Sequence, residues 1–337
     1  MDTQLVAEEA NLRYVSSDMQ GYTRKIWGRG FTYQDADGET IHNDDLRTWF
    51  ENLVIPPAWT EVWISPYKNG HILATGRDDA GRKQYIYHPR WQEVRSRKKF
   101  DELIQFAQVL PLIRQTVDQN LRKHKLSREK VLSTIVLLLE KTLIRIGNEH
   151  YKEKNNSYGL TTLEDDHVEI KGSKVIFEFT GKHDKDHQII LSDRRLARNV
   201  KRCRDLPGYE LFQYEDEEGN QHVVDSADVN NFLKEITRQD ITAKTFRTWG
   251  GSSLAIQVLC EDIPDDLEID QHAKWCIECV ADSLGNTIAV CRDYYIDPRI
   301  FKAYEAGELC ELYQSMSTNE DKYSLNRAEQ CLVKLLS

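Results

Sequence analysis

No stretch of this chain is apolar for long enough to cross a bilayer. Its most apolar run, Val131 to Leu139, is nine residues, where a membrane helix needs about 20. The start carries Asp2, Glu8 and Glu9 in place of a basic segment and apolar core, so a secretory leader is not expected. Seven cysteines, an odd number at irregular spacing, offer no disulfide framework. They point to reduced thiols in the cytoplasm. Cys276 and Cys279 form a lone C-x-x-C with no second pair at zinc spacing, and read as ordinary thiols of a helix. No carboxylate cluster and no glycine-rich phosphate loop is visible, so neither a metal nor a nucleotide cofactor is expected. Internal repeats and low-complexity tracts are lacking too.

What is there fits a globular protein, with 40% hydrophobic and 30% charged residues. A length of 337 residues suits two domains. The net charge of −10 argues against a general nucleic-acid coat. It does not exclude DNA, because the field at a groove matters more than the total. Residues 70–99 hold eight Lys/Arg against three acids, and residues 194–204 hold six and no acid.

The expected fold class is α+β. Residues 1–92 read as short strands punctuated by Asp37-Gly38, Asn69-Gly70 and Ala80-Gly81. Trp49, Trp59, Trp63 and Trp91 would supply core to this small β-sheet domain. Residues 93–337 read as a larger, mainly α-helical domain, entered through a charged joint at Arg95-Ser-Arg-Lys-Lys99. Leu103, Ile104, Ala107 and Leu110 follow a helical period. Ser127 then caps a second helix whose apolar face holds Val131, Ile135, Leu138, Leu139 and Leu143, with Gly147 as its stop. Val168–Ile170, Lys174–Thr180 and Gln188–Leu191 read as a small antiparallel sheet, because Val175, Phe177 and Phe179 alternate. From Ser192 onward the pattern is mostly helical, with a loop at Gly219.

Four residues carry chemistry in a fixed order. Arg145 lies in Leu143-Ile-Arg-Ile-Gly-Asn-Glu-His-Tyr151, and Lys182 closes Phe177-Glu-Phe-Thr-Gly-Lys182 at a hairpin tip. Arg247 lies in Lys244-Thr-Phe-Arg-Thr-Trp-Gly250, and Tyr295 in Gly285-Asn-Thr-Ile-Ala-Val-Cys-Arg-Asp-Tyr-Tyr-Ile-Asp-Pro298. Phosphoryl transfer needs a nucleophile, charge relief on the phosphoryl oxygens and a proton for the leaving oxygen. Guanidinium forks supply the charge relief without metal. A tyrosine can attack phosphorus once cations stabilise its phenolate.

This ordered set resembles the type IB DNA topoisomerases in their short poxvirus-like form, which also occurs in bacteria. The resemblance covers roughly residues 11–310. It includes Ile55-Pro-Pro-Ala-Trp-Thr-Glu-Val-Trp63 and the block from Gly76 to Trp91. It implies a clamp around duplex DNA and a nick through a 3′-phosphotyrosine on Tyr295, followed by rotation and religation without ATP. Arg145 and Arg247 would contact the non-bridging oxygens, and Lys182 would be the general acid. Asn286, nine residues before Tyr295, stands where many members have histidine and bacterial-type members have asparagine. An amide donates a hydrogen bond but carries no proton at neutral pH. That spacing selects Tyr295 over the adjacent Tyr294. Gln84, Tyr85 and Tyr87 would contact DNA in the major groove, with Arg82, Lys83 and Tyr151 as phosphate contacts.

The resemblance further implies a monomer, with duplex DNA as its partner and no membrane association, and nucleoid placement if the source is bacterial. A tyrosine recombinase is the alternative, yet Lys244 and Thr245 stand where recombinases carry histidine. A non-catalytic DNA clamp is a further alternative, and it would form no covalent bond to DNA.

Overall fold

The computed structural model describes residues 3–182, 184–261, 268–318 and 321–337. The chain divides into two compact units, residues 1–99 and 100–337. The first contains α1 (Thr3–Glu9), β1 (Tyr22–Trp27), β2 (Gly30–Gln34), α2 (Asp44–Asn52), β3 (Thr60–Ile64), β4 (Ile72–Arg77) and β5 (Lys83–Tyr87). The strands form one antiparallel sheet in the order β2-β1-β3-β4-β5. Its core gathers Tyr33, Phe50, Val62, Ile64 and Ala74.

The two helices depart from the all-strand reading of residues 1–92. Asn43 accepts the Leu46 N–H (2.9 Å), and Asp44 and Asp45 occupy the first turn of α2, which together start a helix. α1 buries Val6 and Ala7 beside Trp91. Trp63 and Trp91 are buried, whereas Trp49 and Trp59 are half-buried against the sheet core.

α3 (Pro89–Arg122) crosses the boundary between the units. The expected joint at Arg95–Lys99 is therefore helix. Pro89 fits the first helical position, and arginine and lysine propagate a helix well. The second unit continues with α4 (Arg128–Thr142), α5 (Glu149–Asn155), β6 (Val168–Lys171), β7 (Lys174–Thr180), β8 (Asp186–Ser192) and α6 (Arg194–Arg204). β9 (Gln213–Glu215), β10 (Gln221–Val223), α7 (Ser226–Thr237), α8 (Ala243–Glu261) and α9 (Ile269–Leu284) come next. α10 (Ile288–Tyr294), α11 (Pro298–Glu305), α12 (Glu308–Ser315) and α13 (Arg327–Leu336) follow.

β6, β7 and β8 form the expected antiparallel sheet, with Val175, Phe177 and Phe179 facing the core. His183, in the β7–β8 turn, lies outside the described residues. The segment around Gly219 is the turn of a small hairpin, because Asp216 accepts the N–H groups of Glu218 and Asn220. α4 is central to the core: Val131, Leu132, Ile135, Val136, Leu138 and Leu139 are all fully buried. Cys276 sits in α9, where burial pushes its thiol up to about 12; Cys279 is half-buried. No helix of the described residues is long and apolar enough to cross a membrane.

One buried carboxylate ties three segments of this unit together. Asp118 of α3 accepts from Arg195 (2.7 Å), Arg122 (2.8 Å), Lys322 (3.0 Å) and the Tyr323 hydroxyl (2.8 Å). Burial alone would raise its pKa. The hydrogen bonds from Lys322, Tyr323 and Arg195 outweigh burial and hold it well below the usual carboxylate range. A depressed carboxylate stabilises the fold above its unfolded pKa and loses that contribution as pH falls through its folded pKa. Asp118→Asn is expected to cost roughly 3 kcal/mol at pH 7, with the deficit shrinking below about pH 4. Urea unfolding at several pH values measures both; a deficit that does not change with pH would deny the carboxylate this role.

Candidate active site

Arg145 is placed by the way α4 ends. Thr142 turns its hydroxyl back to the Leu138 carbonyl (2.6 Å) and accepts the Ile144 N–H (3.2 Å). Leu143 then adopts a left-handed φ of 55°, which costs such a residue about 1 kcal/mol. The helix therefore stops at Thr142, before the expected Gly147. The Leu143 carbonyl accepts from Arg247 Nη1. Arg145 lies just past the stop, with its carbonyl fixed by the Leu160 N–H (2.9 Å). Its half-buried guanidinium donates to the Gly285 carbonyl (3.3 Å) and to Asn286 Oδ1.

Arg247 projects from α8 and is only 4% exposed. Nη2 donates to the Leu284 carbonyl (2.8 Å). Its guanidinium carbon lies 5.1 Å from the centre of the Tyr295 ring. Asn286 follows Gly285, the left-handed stop of α9, and its backbone N–H returns to the Ala281 carbonyl (2.9 Å). Tyr295 ends α10, donating its N–H to Cys291 (2.9 Å). The Ser252 hydroxyl donates to the Tyr295 carbonyl (3.2 Å) and accepts the Asp297 N–H (3.1 Å). With Ile296 and Asp297 fully buried, the backbone around the half-buried tyrosine is fixed. Tyr294 points outward, 55% exposed.

The structure thus brings Arg145, Arg247, Asn286 and Tyr295 together. Among the described residues neither guanidinium is paired with a carboxylate. Burial, and then the nearby Arg145 charge, push the Arg247 pKa down to about 10. Burial lowers Arg145 as well. Two buried donors, Arg247 Nε and Asn286 Nδ2, have no partner among the described residues. Crowded positive charge plus unused donors beside a tyrosine is a site that gains by taking an anion. Lys182 stands exposed in the β7–β8 turn, which is closed by the Gly181 N–H to the Lys185 carbonyl (2.8 Å).

The other candidates lie elsewhere. On β5, Lys83, Tyr85 and Tyr87 share one face, with the two tyrosine rings stacked 5.6 Å apart. Gln84 takes the opposite face with Ile86, and its amide donates to Asp78 (2.8 Å). Arg82 pairs with the same Asp78 (2.8 Å), and Lys83 donates to Ser17 (2.6 Å). Tyr151 is exposed on α5 of the second unit. Two residues near the site escape a reading of the sequence. Ser252 has no motif of its own, and His187 reads as one more alternating residue of β8.

The sequence matches known families in two segments. Residues 88–323 match the family described as the catalytic core of eukaryotic DNA topoisomerase I. Residues 30–78 match the N-terminal domain of bacterial DNA topoisomerase IB. The chain is 30% identical over 307 residues to a DNA topoisomerase 1B of Acanthamoeba polyphaga mimivirus, covering 88% of each. It is 25% identical over 177 residues to the DNA topoisomerase 1B of Vaccinia virus (strain Copenhagen), 52% of this chain and 55% of that protein. A DNA topoisomerase 1 of Mycosarcoma maydis is 27% identical over 242 residues, 65% of this chain and 24% of its own length.

Proposed function

The chain belongs to the type IB DNA topoisomerases, which relax DNA by cleaving and religating it, and on that premise we propose that Tyr295 is its nucleophile. The Tyr295 oxygen bonds to phosphorus as the bond from phosphorus to the 5′-oxygen breaks. The phenol proton leaves to water, and the Lys182 ammonium protonates the departing 5′-oxygen. The products are a 3′-phosphotyrosine and a 5′-hydroxyl. Arg145, Arg247 and Asn286 donate to the non-bridging oxygens, where negative charge rises as the five-coordinate state forms.

The observation that carries this reading is a buried and a half-buried guanidinium, neither paired with a carboxylate among the described residues, around Tyr295. A phosphodiester relieves their repulsion and engages the two unused donors. The ester keeps the energy of the broken bond, so religation needs no ATP. The nicked duplex rotates about its intact strand, and supercoils of either sign relax.

In this reading the two units close on duplex DNA as a clamp and the chain acts as a monomer. Positive charge in both units supports it, in residues 70–99 and on α6. Arg82, Lys83, Gln84, Tyr85 and Tyr87 would contact the duplex from the first unit, and Tyr151 from the second. The family matches do not favour a tyrosine recombinase. The test is relaxation of negatively and positively supercoiled plasmid in EDTA without ATP. Relaxation of both is expected; DNA binding without relaxation would leave only a clamp.

Asn286 has an electrostatic role, since its amide carries no proton at neutral pH. Asn286→His is therefore expected to stay within about tenfold of the unaltered relaxation rate, because imidazole also donates a hydrogen bond. Complete inactivation would contradict a contact-only role.

A further inference from the structure

His187 occupies a tight position between two parts of the site. It pairs with Phe179 across the β7–β8 hairpin, and the two rings stack at 4.9 Å. A methyl added to Gly181 would come within 2.7 Å of the imidazole, and one added to Gly285 within 2.2 Å. The ring therefore fills the space between the start of the Lys182 turn and the turn that carries Asn286. The Gly285 carbonyl also accepts from Arg145, so His187 sits against the backbone that holds this guanidinium. A second tie joins the same pieces, with Lys185 3.5 Å from Asp282. Both partners are solvent-exposed, and such a pair contributes little. The half-buried imidazole is the stronger contact.

The charges around it favour a neutral ring. Burial, and then Arg145, Lys185 and Arg247, hold its pKa below the usual histidine value, with Asp186 acting weakly the other way. A neutral imidazole fills the gap without adding positive charge beside two guanidiniums.

We propose that His187 is a positioning residue, docking the Lys182 hairpin against the Asn286 turn and so setting the reach of the Lys182 amine to the 5′-oxygen. This rests on Lys182 being the general acid. His187 touches no reacting atom. Its loss lets the hairpin shift, and a misplacement near 1 Å costs about 100-fold in rate.

The test is single-turnover cleavage of a duplex at a site first mapped with the unaltered enzyme. The duplex carries either the normal 5′-oxygen or a bridging 5′-sulfur, which leaves as a thiolate and needs no proton. His187→Ala is expected to cleave the oxygen substrate about 30- to 100-fold more slowly and the sulfur substrate within about threefold of normal. Equal loss on both would overturn the proposal, because His187 would then act through the fold or the arginines. Lys182→Ala must show the same rescue by sulfur. If it does not, the general-acid reading fails and this proposal falls with it. If Lys182→Ala is rescued and His187→Ala is not, only the proposal falls.

Gly181→Ala gives an independent arm. It should mimic His187→Ala by displacing the ring, and add no further loss in the His187→Ala background. Additive losses would place its effect elsewhere and remove the ring as the docking element. Should His187→Ala not fold, Gly181→Ala alone must show the loss confined to oxygen, and its absence would overturn the proposal.

Discussion

Tyr295→Phe is expected to bind duplex DNA as the unaltered chain does, yet form no covalent adduct and relax no plasmid. The change removes one oxygen from a residue whose backbone is held elsewhere. Ser252 grips the Tyr295 carbonyl, Cys291 accepts its N–H, and the buried Ile296 and Asp297 anchor the segment beyond. The fold should lose little beyond the hydroxyl's contact with Arg247, and phosphate contacts by other side chains set the affinity. Chemistry has no such reserve. Loss of a covalent nucleophile removes a factor of at least about 10⁴. Denaturing electrophoresis of labelled duplex mixed with each variant reads the adduct directly. Tyr294→Phe is the control, since Tyr294 points outward and should be dispensable. An adduct that survives Tyr295→Phe and disappears only when Tyr294 is also changed would transfer the role to Tyr294.

The parts of this molecule legible in the sequence are those set by local physics. Val175, Phe177 and Phe179 alternate because one face of β7 is buried, and α4 is apolar on nearly every side because it lies at the centre of the core. The set of Arg145, Lys182, Arg247, Asn286 and Tyr295 was legible through resemblance; the fold gathers four of them and leaves Lys182 exposed in the β7–β8 turn. What was hidden depends on partners distant in the chain. α4 ends at Thr142 and not near Gly147, and the carbonyl of the next residue, Leu143, meets a guanidinium from α8. The helical state of Arg95–Lys99 was obscured by its charge, although those residues propagate a helix well. The α2 cap at Asn43-Asp44-Asp45 was a readable local signal that the turn-rich setting masked. His187 could not have been singled out, because Gly181 and Gly285 bracket it only in the folded chain.

The other large effect is expected at Arg247, where activity and stability should separate. The guanidinium is nearly inaccessible and its pKa falls from the ordinary guanidinium range to about 10, through burial first and Arg145 second. Folding therefore disfavours its charged form by roughly 3 kcal/mol. That penalty is complete below pH 10 and lifts only as pH rises above it. The bonds to the Leu143 and Leu284 carbonyls oppose it, at roughly 1.5–3 kcal/mol each. Together the two bonds match or exceed the penalty. Arg247→Ala should thus change stability by at most about 3 kcal/mol, while cleavage falls by about 10³-fold or more. Arg247→Lys should also lose about 10²- to 10³-fold, because a compact ammonium lacks the planar fork that spans two carbonyls and a phosphoryl oxygen at once. Thermal melting beside single-turnover cleavage tests both variants. Cleavage by Arg247→Lys within tenfold of normal would mean that charge suffices without the fork. An Arg247→Ala chain that no longer melts cooperatively would make the arginine a structural strut first. The expected result is a protein that still folds, binds DNA and cannot cut it, because in the proposed reading the phosphoryl group engages a guanidinium that burial first, and Arg145 second, leave short of compensation.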